Sequence, residues 1–322
     1  MRVVFFGTPE FSADFLRALI ADGDFDIVAV VTQQDELQGR KKELTPPPTK
    51  LVALEHNIPV LQPTKLKDSA FADALTALNA DVFVVIAYGR IIPQAVLDIP
   101  PHGCVNVHPS LLPLLRGPSP IISAIANGDD VTGVTIMQLD ADMDHGPILA
   151  QTSFAITPDE TATSLTQKVV QHGAPLLTDT LKGYVDGSII PIAQNHDDAT
   201  LCHLLTREDG RIDWTQPAAI IDAKIRAYNP WPGTFTTWHR DGSDLVIKII
   251  SAKILVDSPL TSVIPSATRD LIGKVHVQSD QIIIGTGTTA LEIIELQPAA
   301  GKRMPATAFI QGYRDIDGVT LG

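Results

Sequence analysis

The first half of the chain alternates short, continuously apolar runs with helical stripes, and that alternation leaves few folds open. Val3-Val-Phe-Phe6 ends in the turn Gly7-Thr-Pro9. Residues 10–22 then place Phe11, Phe15, Ala18 and Leu19 at helical spacing, and residues 26–32 are apolar again. Strands without a polar face need cover on both sides, which predicts an α/β domain with a Rossmann-like, mostly parallel sheet and helices on both faces. Further helices are expected at 49–56, 68–78, 118–127 and 159–186, with another near Ala95, and further strands at 58–61 and 81–87. A central strand is expected from 103 to 107 and another at 133–139, and the strand at 148–156 suits antiparallel pairing with 134–139. Gly7-Thr-Pro-Glu-Phe-Ser is not the G-x-G-x-x-G fingerprint, so a nicotinamide enzyme is disfavoured.

The pattern changes after residue 206. Strands at 234–237, 245–255, 274–277, 281–285 and 290–297, with helices at 219–226 and 305–311, suit a small OB-like β-barrel. The expected division is therefore 1–186, a polar linker at 187–206, and 207–322. No run approaches the ~18 apolar residues of a membrane span, and the start enters a strand at once, unlike a signal peptide. Cys104 and Cys202 make neither a metal spacing nor a disulfide framework, so a reducing cytoplasm is expected.

Net charge is −13, which taken whole argues against nucleic acid. The acidity sits in residues 1–205, with 12 basic against 24 acidic residues, whereas 206–322 balances 12 against 13. The second part is therefore free to carry a basic patch. Within the acidic part, residues 33–48 lack periodicity and hold Arg40, Lys41 and Lys42. Loops of such length in compact domains are uncommon and often functional.

Chemistry concentrates around the central strand. Asn106 and His108 are two residues apart and share a face, and Pro109 and Pro113 stiffen the loop that follows, at the strand end where α/β sheets place ligands. Asp144 lies beyond the next strand. An amide, an imidazole and a carboxylate supply an oxyanion donor, a proton carrier and an orienting charge, the three tasks of acyl transfer to an amine. The same residues have plain structural uses too: a loop cap, a backbone bond, a turn with Gly146. His102 and His145 lie nearby, but their spacings match no standard metal pattern. In the second part, Trp214 and Trp231 stand among Arg207, Arg211, Lys224 and Arg226, as in nucleic-acid surfaces or as in an ordinary core. Lys302-Arg303 is a small basic turn.

Asn106-Val-His-Pro-Ser-Leu-Leu-Pro113, Arg116-Gly117, Pro120-Ile121, Gly133-Val-Thr-Ile-Met137 and Asp144-x-Gly146 together resemble the 10-formyltetrahydrofolate-dependent formyltransferases. Gly7-Thr-Pro9 with Phe11, Gly39-Arg40, Arg211-Ile-Asp-Trp214, Ile225-Arg-Ala-Tyr-Asn-Pro-Trp-Pro232 and Gln297-Pro-Ala-x-Gly-Lys302 look like the branch acting on methionyl-tRNA. The resemblance spans nearly the whole chain. It implies that Asn106, His108 and Asp144 are catalytic, and that Ser110, Leu111, Leu112 and Pro113 line a folate pocket with Ile86, Ala87 and Tyr88. It further implies that 10-formyltetrahydrofolate is a formyl-donor substrate, with no tightly bound cofactor or metal and no membrane partner. Initiator methionyl-tRNA is the implied acceptor, met by the 33–48 loop and by the second domain, where Arg207, Arg211, Lys302 and Arg303 are the candidate contacts. A cytoplasmic monomer is expected. A sugar-nucleotide formyltransferase, a folate hydrolase and an inactive folate- or RNA-binding module are the competing readings. The chain departs from the family at Leu114-Leu115, where a basic–aromatic pair is common, and at His145, where a Thr is usual.

Overall fold

A computed structural model describes residues 1–39, 42–240, 242–255 and 271–322. Two compact units form, one from 1–120, 131–155 and 166–202, the other from 121–130, 156–165 and 203–322. The strands are β1 (Arg2–Gly7), β2 (Asp26–Val31), β3 (Glu36–Gln38), β4 (Glu43–Thr45), β5 (Val60–Leu61), β6 (Val82–Ile86), β7 (Cys104–His108), β8 (Val131–Gln138) and β9 (Ile148–Ala155). They continue with β10 (Thr234–Arg240), β11 (Ser243–Leu255), β12 (Val275–Gln278), β13 (Gln281–Gly285), β14 (Ala290–Pro298) and β15 (Met304–Pro305). The helices are α1 (Glu10–Asp22), α2 (Pro48–Glu55), α3 (Ser69–Ala77), α4 (Gln94–Leu97), α5 (Pro120–Asn127), α6 (Ala162–Val185), α7 (Ala218–Ala227) and α8 (Ala306–Gly312).

The first unit is built on a sheet of order β5-β2-β1-β6-β7-β8-β9. Its strands are parallel through β7, after which β8 and β9 are antiparallel. The apolar runs read from the sequence are its interior: Val3, Val4, Phe5 and Phe6 in β1, and Val82, Phe83, Val84 and Ile86 in β6, are all fully buried. β9 pairs antiparallel with β8, as expected for the strand at 148–156. Gly133 lets the two strands and the loop after β7 approach, because a Cβ there would meet the Thr152 carbonyl oxygen at 2.1 Å and Leu111 Cδ2 at 2.5 Å.

Among the described residues of 33–48 there are two short strands. β3 and β4 form a short antiparallel hairpin in which Leu37 faces Leu44, with Lys42 N donating to Gly39 O at 3.2 Å. Three-residue strands are too short to show a period in the sequence, and Gly39 and Lys42 both take positive φ (70° and 52°) to make the turn. Helix α6 starts at Ala162 rather than 159, where the Thr161 and Ser164 side chains each accept from the other's backbone amide (Ser164 N to Thr161 Oγ1 3.1 Å, Thr161 N to Ser164 Oγ 2.9 Å).

In the second unit an antiparallel sheet runs β10-β11-β14-β13-β12, with β15 added to β14, a half-barrel consistent with the OB-like expectation. Its core contains Trp214, Ile221, Ile225, Trp238, Ile247, Leu291 and Phe309. Among the described residues no helix is long and apolar enough to cross a membrane.

Candidate active site

β7 carries the site because its neighbours fix its register. Asn106 lies opposite Val85 on one side and Met137 on the other, and His108 lies opposite Thr135. Thr135, fully buried, ties down the loop after β7. Its hydroxyl donates to Ser110 O (2.7 Å) and accepts from Leu112 N (3.1 Å) and from Gln151 Nε2 (2.8 Å). One donor and two acceptor positions are all a hydroxyl has, so the loop is held as tightly as one threonine allows. Ser110, itself 1 % exposed, turns its own hydroxyl inward to Leu114 O at 2.6 Å.

The imidazole of His108 is 4 % exposed and bridges two oxygens. Nε2 lies 3.0 Å from Leu115 O, and Nδ1 lies 3.4 Å from Asp144 Oδ1. The second oxygen of Asp144 accepts from Gly117 N at 2.8 Å. Burial pushes the Asp144 carboxyl up, but the His108 contact and charge, the Gly117 amide and the charge of Arg116 together outweigh it and hold the pKa below the usual carboxylate value. Asn106 is half-buried on the same face of β7, and among the described residues nothing bonds its amide.

Of the residues read as a folate pocket, Leu111 and Pro113 are half-buried and Leu112 is buried. Ala87 is exposed, at φ 45°, at the end of β6. Tyr88 is buried, its carbonyl held by Thr8 Oγ1 (3.0 Å) and Gln33 Nε2 (3.1 Å). Burial pushes the Tyr88 phenol up, with the charge of Arg90 opposing. Arg40 and Lys41 lie outside the described residues, and Lys42 sits at the β3–β4 turn.

In the second unit Arg207 and Lys302 are exposed, Arg211 pairs with Glu208 and lies 5.0 Å from the Phe235 ring centre, and Arg303 pairs with Glu295. Trp214 is a core residue bonded through Nε1 to Thr236 Oγ1 at 3.0 Å, whereas Trp231 is 53 % exposed. Among the described residues no group of three His, Cys, Asp or Glu side chains could hold a metal ion.

What the sequence did not single out is the strap at 194–202, inside the stretch expected to link the domains. Arg116 N donates to Thr200 O (2.9 Å), Cys202 N to Arg116 O (2.8 Å) and Leu115 N to Thr200 Oγ1 (2.8 Å). The strap thus holds the short segment whose backbone holds His108 and Asp144. No local signal marks it, since its partners are about eighty positions away.

Residues 1–181 match the formyl transferase model, and residues 204–314 match the formyl transferase C-terminal domain. The chain belongs to the formyl transferase family. It is 46 % identical over 322 residues to a methionyl-tRNA formyltransferase of Chloroflexus aurantiacus, covering 100 % of both chains. It is 44 % identical over 312 residues to the enzyme of that name from Geobacillus thermodenitrificans, covering 97 % of this chain and 94 % of the relative. Among solved structures, HypX from Aquifex aeolicus in complex with tetrahydrofolic acid has a similar fold (TM-score 0.63, 16 % identity, 97 % of this chain and 47 % of that one). So does WlaRD, a sugar 3N-formyl transferase (TM-score 0.62, 18 % identity, 91 % of this chain and 97 % of that one).

Gly117 gives the sharpest structural test of the strap. It sits at φ +124°, and a Cβ would come within 2.3 Å of Cys202 O. Gly117→Ala is expected to destabilise the protein by roughly 1–3 kcal/mol through overpacking, read as a lowered midpoint in urea denaturation.

Proposed function

We propose that this enzyme transfers a formyl group from 10-formyltetrahydrofolate to the free amino group of methionine esterified to initiator tRNA. The observation that carries the reading is the His108–Asp144 pair, with Nδ1 and Oδ1 3.4 Å apart, on the same strand end as the free amide of Asn106, in a chain of this family. The methionyl-tRNA acceptor is supported by relatives of that name that match this chain from end to end.

The amine nitrogen attacks the formyl carbon, and the carbonyl electron pair moves onto oxygen. The amine gives up a proton, N10 of the folate gains one, and the carbon–N10 bond breaks as the carbonyl re-forms. Asn106 and His108 steady the oxyanion; one such donor is worth ~2.7–4 kcal/mol. His108 also passes the proton from the amine toward N10, and Asp144 fixes the ring's orientation and charge. Ser110, Leu111, Leu112 and Pro113, with Ile86, Ala87 and Tyr88, border the folate. Arg40, Lys41 and Lys42 meet the acceptor end of the tRNA, while Arg207, Arg211, Lys302 and Arg303 contact its stem. The same reading takes the enzyme as a cytoplasmic monomer.

The deciding experiment supplies labelled 10-formyltetrahydrofolate with charged initiator tRNA, charged elongator methionine tRNA or amino-sugar nucleotides, and with no acceptor at all. Label on the initiator methionine supports the reading. Label on a sugar, or formate released without acceptor, sinks it.

Two variants divide the roles. His108→Ala is expected to fold normally and to lose roughly 10²- to 10⁴-fold in kcat, measured by steady-state formyl transfer alongside circular dichroism. Neutralising Arg40, Lys41 and Lys42 to Gln is expected to weaken tRNA binding and flatten its salt dependence, by about 0.7–0.9 in log–log slope for each phosphate no longer neutralised; filter binding across a salt series measures it.

A further inference from the structure

Gln194 places one amide where four hydrogen bonds meet. It is 6 % exposed. Its Oε1 accepts from Arg116 Nη2 (2.6 Å) and Nε (3.2 Å), and its Nε2 donates to the carbonyl oxygens of Asp144 (2.9 Å) and Gly146 (2.7 Å). The amide has one orientation only, because a guanidinium only donates and a carbonyl only accepts. Every polar position of the side chain is filled, and no other natural side chain of that length offers one double acceptor and one double donor.

The two carbonyls it holds flank His145. His145 Nδ1 meets Asp140 Oδ2 at 2.7 Å, and its ring stacks on that of His196, with centres 3.9 Å apart and planes 3° from parallel. His196 Nδ1 in turn accepts from Arg116 Nη2 at 2.9 Å. Arg116, Gln194 and His196 therefore brace the 144–146 turn from one side, while the Gly117 amide holds the Asp144 carboxylate from the other. The turn needs bracing. Asp144 is at φ 51°, a left-handed conformation that L-residues adopt only at single positions.

We propose that Gln194 is a positioning residue for the reaction put forward above. It touches no reacting atom. By fixing the main chain at Asp144 and Gly146, it sets the direction in which the Asp144 carboxylate meets His108. The inference rests on that reaction for its kinetic consequence, but its structural consequence, the His108–Asp144 contact, is observable without turnover.

Two variants test it in the full chain. Gln194→Met keeps length and removes all four bonds, whereas Gln194→Glu keeps an acceptor for Arg116 and removes the donor facing the carbonyls. Each is assayed well below its melting temperature, with both substrates varied. Both variants are expected to lose roughly 10- to 100-fold in kcat, the scale of an ångström-sized misplacement, with KM for each substrate essentially unchanged. ¹⁵N NMR of the His108 ring, assigned against a His108→Gln control, is expected to shift in both. Parental kcat in either folded variant, a loss confined to KM, or an unmoved His108 signal would overturn the proposal, whatever the melting temperatures do. Should Gln194→Met melt too low to assay, Gln194→Glu decides alone. If the parent itself transfers no formyl group, the reaction is wrong, and the His108 signal still judges the positioning.

Discussion

A buried imidazole and a half-buried carboxylate stay in register here because one short piece of backbone holds both. Leu115 offers its carbonyl to His108 Nε2, and two residues later Gly117 offers its amide to Asp144 Oδ2. Neither partner is a side chain that can rotate away. The arrangement also meets an energetic requirement. Burial disfavours the Asp144 charge, and without the His108 contact, the Gly117 amide and the nearby Arg116 charge the acid would be left as an unpaired buried group.

That backbone is itself positioned from two directions. On the sheet side, the single hydroxyl of Thr135 joins Ser110, Leu112 and Gln151, so the loop leaving β7 starts from a fixed point. On the far side, the strap at 194–202 adds Thr200 and Cys202 to Leu115 and Arg116. Pre-organisation of this kind suits a transition state in which charge moves onto an oxygen, because donors already in place need no rearrangement when the charge appears.

Much of the frame was legible because its signals are local. Val3-Val-Phe-Phe6 and residues 82–86 are apolar on both faces and became interior strands of a mostly parallel sheet. Asn106 and His108 share a face because strand geometry has a period of two. Asp144 could be grouped with them by its chemistry and by family resemblance but not by any period, since none links a strand residue to a turn 36 positions later. Gln194 and Thr200 were invisible for the same reason: each acts through a few long-range bonds from a polar stretch that reads as a linker. The β3–β4 hairpin escaped because three residues cannot display alternation. Trp214 shows the opposite limit, an aromatic among cations that the structure makes part of the core, its indole nitrogen bonded to Thr236.

The departures at Leu114-Leu115 and His145 can be weighed on the same physical footing. At 115 the site uses only main-chain groups, the carbonyl toward His108 and the amide toward Thr200, so a change of side chain there leaves both bonds in place. Leu114 is 46 % exposed, and its carbonyl, not its side chain, receives Ser110 Oγ. His145 differs, because its ring stacks on His196, which accepts from Arg116. Its neighbours on both sides supply the carbonyls that Gln194 holds. A change of side chain is tolerated where the backbone carries the contact, as at Leu115, and disturbs a packed neighbour where the ring itself is in contact, as at His145. His145 and His196 therefore act as one packed pair, with ring centres 3.9 Å apart, tied through His196 to Arg116.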